Sequence, residues 1–115
     1  LAHPGWYNRA TTFSPLGIAR ALSLRPKVLI CDEPVSSLDL SVQAQILKLL
    51  TELQKKHHLT LLFISHNLAT ISVMSDRILV MKSGRIVEEA GNPALFQTPK
   101  DPYTRLLVNL ALQAI

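Results

Sequence analysis

Asp32 and Glu33 are adjacent carboxylates that follow a short apolar run and precede a proline. The run, residues 28–31, is typical of a strand buried on both faces, because such a strand reads as a continuous apolar segment. Open α/β sheets place their binding sites at the carboxyl ends of strands. Since neighbouring strand residues point to opposite faces, we expect two different roles. One carboxylate is suited to hold a hard cation such as Mg²⁺, and the other to orient or deprotonate a water molecule.

His66 follows a second apolar run, residues 60–64, and has the same kind of position. The carboxyl ends of parallel strands lie at one edge of a sheet, so His66 is expected close to Glu33. A histidine there can hydrogen-bond a phosphate oxygen or the attacking water. Alone, an acidic pair at a strand end is usually a solvated turn, and a strand-end histidine is usually an ordinary loop residue. Their combination and context favour a site.

The elements that must position these residues alternate between helix and strand patterns, which predicts a parallel α/β sheet flanked by helices, with a small antiparallel edge from a final hairpin. Residues 1–15 show no periodicity. Asp39 or Ser41 can cap the longest predicted helix. The predicted strands are residues 27–31, 60–64, 77–81 and 85–89; the predicted helices are residues 16–22, 39 or 41 to about 56, 67–74, 92–96 and 103–114.

Size and composition limit the class of protein. The chain has 115 residues and is nearly half apolar, which indicates one small globular domain. Its net charge of +4 is scattered without a basic run, so nucleic-acid binding is not expected. Cys31 is the single cysteine, which favours a reducing compartment and a buried apolar role. The pair His57 and His58 is read as a solvated helix end rather than a metal site. No apolar stretch is long enough for a membrane span.

Several motifs together resemble the ATP-binding subunits of ABC transporters. Residues 28–33 resemble the Walker B strand with the catalytic glutamate that follows it, residues 36–39 resemble the D-loop, and residues 64–67 resemble the switch-histidine loop. Residues 18–22 resemble the helix that follows the signature motif. The segments that resemble oligopeptide, dipeptide and nickel importers more closely are residues 41–47, 84–89 and 99–105.

The resemblance implies a partial P-loop NTPase-like fold, with a C-terminal hairpin and helical tail, that uses ATP and Mg²⁺. Asp32 would help to hold Mg²⁺ through water. Glu33 would polarise the hydrolytic water, and His66 would contact the γ-phosphate. Ser37 and Asp39 would lie at the nucleotide, with Asp39 at the interface between two nucleotide-binding domains.

The same resemblance implies a place in a transport system. ATP hydrolysis would drive the import of peptides or nickel from the cytoplasmic face of a bacterial inner membrane, or the chain would be cytoplasmic if unassembled. Partners would be transmembrane permease subunits, a second ATP-binding subunit and a periplasmic solute-binding protein. Residues 16–90 would form the C-terminal half of a nucleotide-binding domain, residues 91–115 its importer-type extension, and residues 1–15 an aberrant segment.

Two phosphate-binding motifs are missing from the 115 residues. A P-loop needs Gly-x-x-x-x-Gly-Lys followed by Ser or Thr, and none of the four glycines is followed by lysine. Residues 8–13, where the signature motif is expected, lack its glycines. Because a shifted reading frame over residues 10–14 could encode the family's string, we hypothesise a frameshifted start. The chain begins at Leu1 rather than Met, and we expect a truncated subunit that is inactive alone.

Two other readings remain open. The chain could be a non-catalytic interaction module that docks on a transporter subunit, or a fragment that complements a separately encoded P-loop half. An independent phosphohydrolase that uses Asp32, Glu33 and His66 is less favoured, because it would have no phosphate cradle. Missing sheet neighbours would also leave strand edges and apolar surface exposed, so we expect poor solubility.

Overall fold

The computed structural model of the chain describes residues 5–10, 13–35 and 38–113. It divides into two compact units, Leu1–His66 and Asn67–Ile115, and each has its own sheet. The predicted mixed α/β class, with a parallel sheet, flanking helices, a hairpin and a C-terminal helix, is confirmed. None of the described helices is both long enough and apolar enough to cross a membrane.

The first unit is a three-stranded parallel sheet in the order β1-β2-β3 with two helices. In chain order its elements are β1 (Tyr7–Arg9), α1 (Pro15–Leu22), β2 (Val28–Asp32), α2 (Leu40–His57) and β3 (Thr60–Ile64). The core side chains that it buries are Ala10, Ile18, Ala21, Leu29, Cys31, Val35, Ile46, Leu50 and Leu59.

Both helices of the first unit begin at side-chain caps. Ser14 accepts a hydrogen bond from the N–H of Gly17 and is followed by Pro15, whose fixed φ suits the first helical position. Asp39, rather than Ser41, is the N-cap of α2 and accepts from the N–H of Val42. The sequence left these two caps open, and the structure selects the aspartate.

The strand β1 corrects the expectation that residues 1–15 lack order. Tyr7 pairs with Val28 and Arg9 with Ile30, in parallel register. The carbonyl of Trp6 accepts hydrogen bonds from the N–H groups of Lys27 and Val28 at 2.8 and 3.1 Å. A three-residue strand is too short to show a periodicity, and it forms here because β2 offers an unpaired edge.

The strand β3 corrects a second expectation, that residues 60–64 are buried on both faces. No residue of β3 is buried, and Leu62 and Ile64 are 45% and 41% exposed. Its described backbone partner is β2, from Val28 opposite Thr60 to Asp32 opposite Ile64. An apolar run does not reveal whether one face or two will be covered, so the sequence pattern overstated the burial of this strand.

The second unit contains a two-stranded antiparallel sheet and three helices. Its elements are α3 (Leu68–Met74), β4 (Arg77–Lys82), β5 (Arg85–Gly91), α4 (Ala94–Gln97) and α5 (Pro102–Gln113). The predicted tight turn is confirmed: Ser83 and Gly84 both have positive φ, of 53° and 77°, as a two-residue hairpin turn of type I′ requires. The hairpin was expected as an edge of the parallel sheet. It instead forms a two-stranded sheet of its own among the described residues. The tight turn predicts that β4 pairs with β5 but not which further strand the pair joins.

A carboxylate ties the hairpin to the start of α5. Glu88 on β5 accepts hydrogen bonds from the N–H groups of Lys100 and Asp101, with closest distances of 3.0 and 2.8 Å. The carboxylate of Asp101 in turn accepts from the N–H of Tyr103. These backbone donors precede or begin the helix and have no intrahelical partners, so Glu88 satisfies groups that would otherwise need water.

Candidate functional site

Glu33 lies just beyond the carboxyl end of β2, where the chain turns sharply. Its φ of 49° is in the left-handed region, which non-glycine residues seldom adopt. The N–H of Glu33 donates to the carbonyl of Ile64 at 2.8 Å, which extends the pairing of β2 with β3 by one hydrogen bond. The hydrogen bond of its backbone N–H thus holds Glu33, and with it the start of its side chain, at the edge of the sheet.

Glu33 and His66 are in direct contact, as the parallel arrangement of their strands predicts. The Oε1 atom of Glu33 lies 2.9 Å from Nδ1 of His66 and also accepts the backbone N–H of His66 at 3.1 Å. The His66 side chain is 79% exposed and that of Glu33 35% exposed. The contact therefore faces solvent at the edge of the sheet, where a ligand can reach it.

The contact determines which imidazole atom can meet a substrate. Nδ1 of His66 is engaged by Glu33, which leaves Nε2 as the ring nitrogen available to a ligand. For Nε2 to donate to a phosphate oxygen while Nδ1–H donates to Glu33, the ring must carry both protons.

Asp32 has a different ionic partner from Glu33. It is the last residue of β2, its side chain is 47% exposed, and its nearest ionic partner is the guanidinium of Arg9 at 3.9 Å. Among the described residues no group of three or more His, Cys, Asp or Glu side chains could hold a metal ion. An exposed carboxylate nevertheless fits Mg²⁺, which binds through one or two carboxylates, waters and substrate phosphates. A cation at Asp32 would share the carboxylate with Arg9.

Arg9 is the neighbour of the site that the sequence did not reveal. It lies in the segment without periodicity, and only the pairing of β1 with β2 brings it to Asp32. No local pattern marks an isolated arginine as the partner of a carboxylate 23 positions away.

Asp39 has a structural role in the described contacts. Its Oδ1 accepts from the N–H of Val42 and from the hydroxyl of Ser41, both at 3.0 Å. The hydrogen bond from Val42, followed by that from Ser41, lowers the pKa of Asp39 below its usual value. Ser37 lies outside the described residues, so its proposed place at the nucleotide stays a prediction, as does the role of Asp39 at an interface.

A parallel sheet whose carboxyl edge carries Asp32, Glu33 and His66 defines the class: a mixed α/β chain compatible with part of an ABC ATPase fold. No family model matches the chain. A putative peptide import ATP-binding protein of Brucella ovis is 50% identical over 94 residues, which cover 82% of this chain and 30% of the relative. The oligopeptide transport ATP-binding protein OppF of Escherichia coli is 51% identical, with coverages of 82% and 28%. The protein AppF of Bacillus subtilis is 49% identical, with coverages of 82% and 29%.

The matched residues therefore belong to the family of peptide import ATP-binding proteins. The resemblance derived from the motifs is confirmed. The chain spans less than a third of the length of these curated relatives, so what the whole proteins do is a matter for proposal here.

Proposed function

We propose that this chain supplies the water-activating and magnesium-binding side of an ATP-hydrolysis site in a peptide importer. The observation that carries the proposal is the contact of Glu33 with His66 at the carboxyl edge of a parallel sheet, one residue beyond Asp32. Family membership supports the assignment, because the relatives are ATP-binding proteins by name.

Each residue has a distinct role in this proposal. Asp32 would hold Mg²⁺ through water, and the ion would supply positive charge to neutralise the phosphates. Glu33 orients and polarises the attacking water, and His66 donates from Nε2 to a phosphate oxygen. Ser37 and Asp39 lie toward the nucleotide at a domain interface. The Glu33–His66 hydrogen bond keeps the two side chains adjacent. A water held by Glu33 and a phosphate held by His66 would therefore be neighbours.

The proposed setting is an importer at the cytoplasmic face of an inner membrane. Permease subunits, a second ATP-binding subunit and a solute-binding protein are the proposed partners. Peptides are the favoured cargo because the named relatives are peptide importers, and nickel is the second cargo that the motifs resemble. The division into residues 1–15, 16–90 and 91–115 stays a prediction.

The site needs a phosphate cradle that these 115 residues do not encode. Backbone N–H groups of a glycine-rich loop and a lysine normally hold the phosphates, and the sequence contains no such motif. We expect the 115 residues by themselves to be inactive. A second candidate is a non-catalytic module that pairs with a P-loop-bearing chain, favoured by the exposed apolar residues Leu62 and Ile64 on β3.

The test measures Mg²⁺-dependent phosphate release from ATP. The chain is assayed alone and after co-expression with the part of the Escherichia coli relative that the match does not cover. We expect background activity alone and hydrolysis from the complex. Glu33→Gln should lower the rate of the complex about a hundredfold or more, because it removes the proposed base. Glu52→Gln, an exposed neutralisation on α2, is the matched control and should leave the rate unchanged.

The results separate the candidates. Hydrolysis by the chain alone that Glu33→Gln abolishes would disprove the expected inactivity. A complex whose rate is insensitive to Glu33→Gln would disprove the role of Glu33. Co-purification without hydrolysis would favour the non-catalytic module.

A further inference from the structure

A cleft of about 630 Å³ opens in the first unit at the sheet edge opposite to Glu33. One wall is the turn that joins α1 to β2, and the other is the turn that joins α2 to β3. These turns precede the first residues of β2 and β3, whereas Glu33 and His66 follow the last ones. Five strand residues separate the two edges by about 16 Å, so the cleft is a different site.

Two of the side chains that line the cleft carry positive charge, and two more are histidines. Arg25 and Lys27 come from the first wall, and His57 and His58 come from the second, while none of the described residues that line the cleft is acidic. Among the described residues none of these four forms an ion pair. Cationic groups gathered in a concave surface focus the field there and raise the local concentration of anions.

The backbone holds these residues in fixed positions. The N–H of Lys27 donates to Trp6 and its carbonyl accepts from Thr60, at 2.8 and 2.9 Å. The N–H of Arg25 donates to Leu22 at 2.9 Å. Both walls are therefore tied to the sheet or the helix, and an anion bound between them would not have to order a loose loop.

Two of the basic residues that line the cleft have an unfavourable backbone conformation. Arg25 and His58 both have a φ of 52°, where glycine or asparagine is usual after a helix. The hydrogen bond from the N–H of His58 to Gln54 explains the turn but not the choice of histidine. Strained backbone conformations are concentrated at functional sites, so their occurrence at two residues that line the cleft favours a binding site there.

A purely structural explanation is that these cations neutralise the carboxyl ends of α1 and α2. Lys55 and Lys56 already occupy the last turn of α2 and already serve that purpose. They do not line the cleft. The lysine pair thus provides a control with the same charge on the same helix end.

We propose that this cleft binds a phosphate group of an anionic ligand. The guanidinium of Arg25 can engage two phosphate oxygens at once, and the ammonium of Lys27 adds a point charge. The imidazoles of His57 and His58 supply further N–H donors from the facing wall. The phosphate could belong to a free polyphosphate or to a phospholipid headgroup, and the chemistry of recognition is the same.

The test titrates the 115-residue chain with inorganic pyrophosphate by calorimetry, and separately measures co-sedimentation with vesicles. The vesicles are phosphatidylcholine with or without phosphatidylglycerol. The cleft variant is Arg25→Asn with Lys27→Gln: asparagine adopts a positive φ readily, and glutamine keeps much of the lysine stem. The control is Lys55→Gln with Lys56→Gln, which removes the same charge outside the cleft. A thermal unfolding curve checks that each variant is folded.

We expect the cleft variant to weaken binding about tenfold or more, since two charge-assisted contacts are lost. The control should change binding less than about twofold. If the cleft variant does not fold, His58→Asn takes its place in the test. Asparagine suits the left-handed position, and this variant should also weaken binding. Binding of pyrophosphate assigns a free phosphate ligand, and binding of phosphatidylglycerol vesicles alone assigns a headgroup. No binding of either probe, or equal losses in cleft and control variants, would overturn the proposal.

This outcome is independent of ATP hydrolysis. Glu33→Gln should leave pyrophosphate binding at the cleft unchanged, because it alters the opposite edge of the sheet. A change in pyrophosphate binding in Glu33→Gln, in either direction, would show that the probe binds at the hydrolysis site and would also overturn the proposal.

Discussion

Cys31 and Asp32 are consecutive residues of β2 with opposite environments. Cys31 is fully buried, whereas the Asp32 side chain is nearly half exposed. The alternation of a strand places one side chain in the core and the next at the surface. Glu33 lies beyond the strand in a left-handed conformation and contacts His66, whereas the ionic partner of Asp32 is Arg9.

Because Cys31 is buried, the reactivity of its thiol tests the packing under the candidate site. Desolvation raises the pKa of Cys31 to about 12. Since the thiolate is the nucleophile, we expect negligible labelling by a thiol reagent at pH 8 in the native chain. Labelling should become rapid in concentrated urea, where the thiol is exposed. Equal labelling rates with and without urea would contradict the buried position.

At the scale of elements, α2 packs through a narrow set of its apolar residues. The sequence predicted one apolar face, and within it Ile46 and Leu50 are the buried residues. Leu40 begins the same helix and is 81% exposed. The helix therefore depends on two central side chains for its contribution to the core.

Leu50→Ala should lower the free energy of unfolding by about 2–5 kcal/mol, because it leaves a cavity where a 1% exposed side chain was packed. Leu40→Ala should change it by less than about 0.5 kcal/mol, since that side chain already faces water. Urea unfolding followed by circular dichroism measures both. Similar losses for the two variants would contradict this packing of α2.

The link between β5 and α5 should be pH-dependent. The N–H of Asp101 is the main cause that lowers the pKa of Glu88 below 4.5. A lowered pKa in the folded state means that the stabilisation is complete above the unfolded-state pKa and is lost as pH falls through the folded-state pKa. Thermal unfolding of the chain should therefore shift to lower temperature in acid.

Glu88→Gln should reduce that acid dependence, because glutamine has no carboxylate to protonate. Amide exchange of Lys100 and Asp101 should be faster in this variant at neutral pH. Glu89→Gln is the control, since Glu89 is on the same strand and contacts Arg77 instead. Unchanged protection of Asp101 in Glu88→Gln would show that the carboxylate does not hold the connection.

At the scale of the whole chain, large apolar residues are exposed in both units. They include Leu62 and Ile64 on β3 and Leu79, Met81 and Ile86 on the hairpin. Exposed apolar side chains on edge strands favour pairing with other chains. The expectation of poor solubility rests on this surface and stays a prediction.

Self-association should depend on the β3 surface. We expect the isolated chain to form oligomers in light-scattering measurements after size exclusion. Leu62→Lys should shift it toward monomer, because charge on an edge strand opposes strand pairing. Leu40→Lys, a change at an exposed helix position, should have a smaller effect. A monomeric wild-type chain at high concentration would contradict the prediction.

The sequence was sufficient for the types of all the elements except β1, for the family and for the meeting of Glu33 with His66. The apolar runs, caps and turn residues that mark the elements are local signals in the sequence. The parallel order of β2 and β3 follows from α2, the helix that lies between them in the chain. The family follows from motifs that each occupy a few consecutive residues. The predicted boundaries of most elements differ from the structure by one or two residues.

Only the tertiary structure decided which distant segments meet. It paired β1 with β2, brought Arg9 to Asp32, left one face of β3 exposed, and joined Arg25 and Lys27 with His57 and His58 in one cleft. These features depend on which surfaces pack together, and hydrophobic pattern does not distinguish a strand covered on both faces from one covered on a single face. The residues proposed for hydrolysis can therefore be identified from the sequence alone, whereas their neighbours and the opposite cleft are properties of the fold.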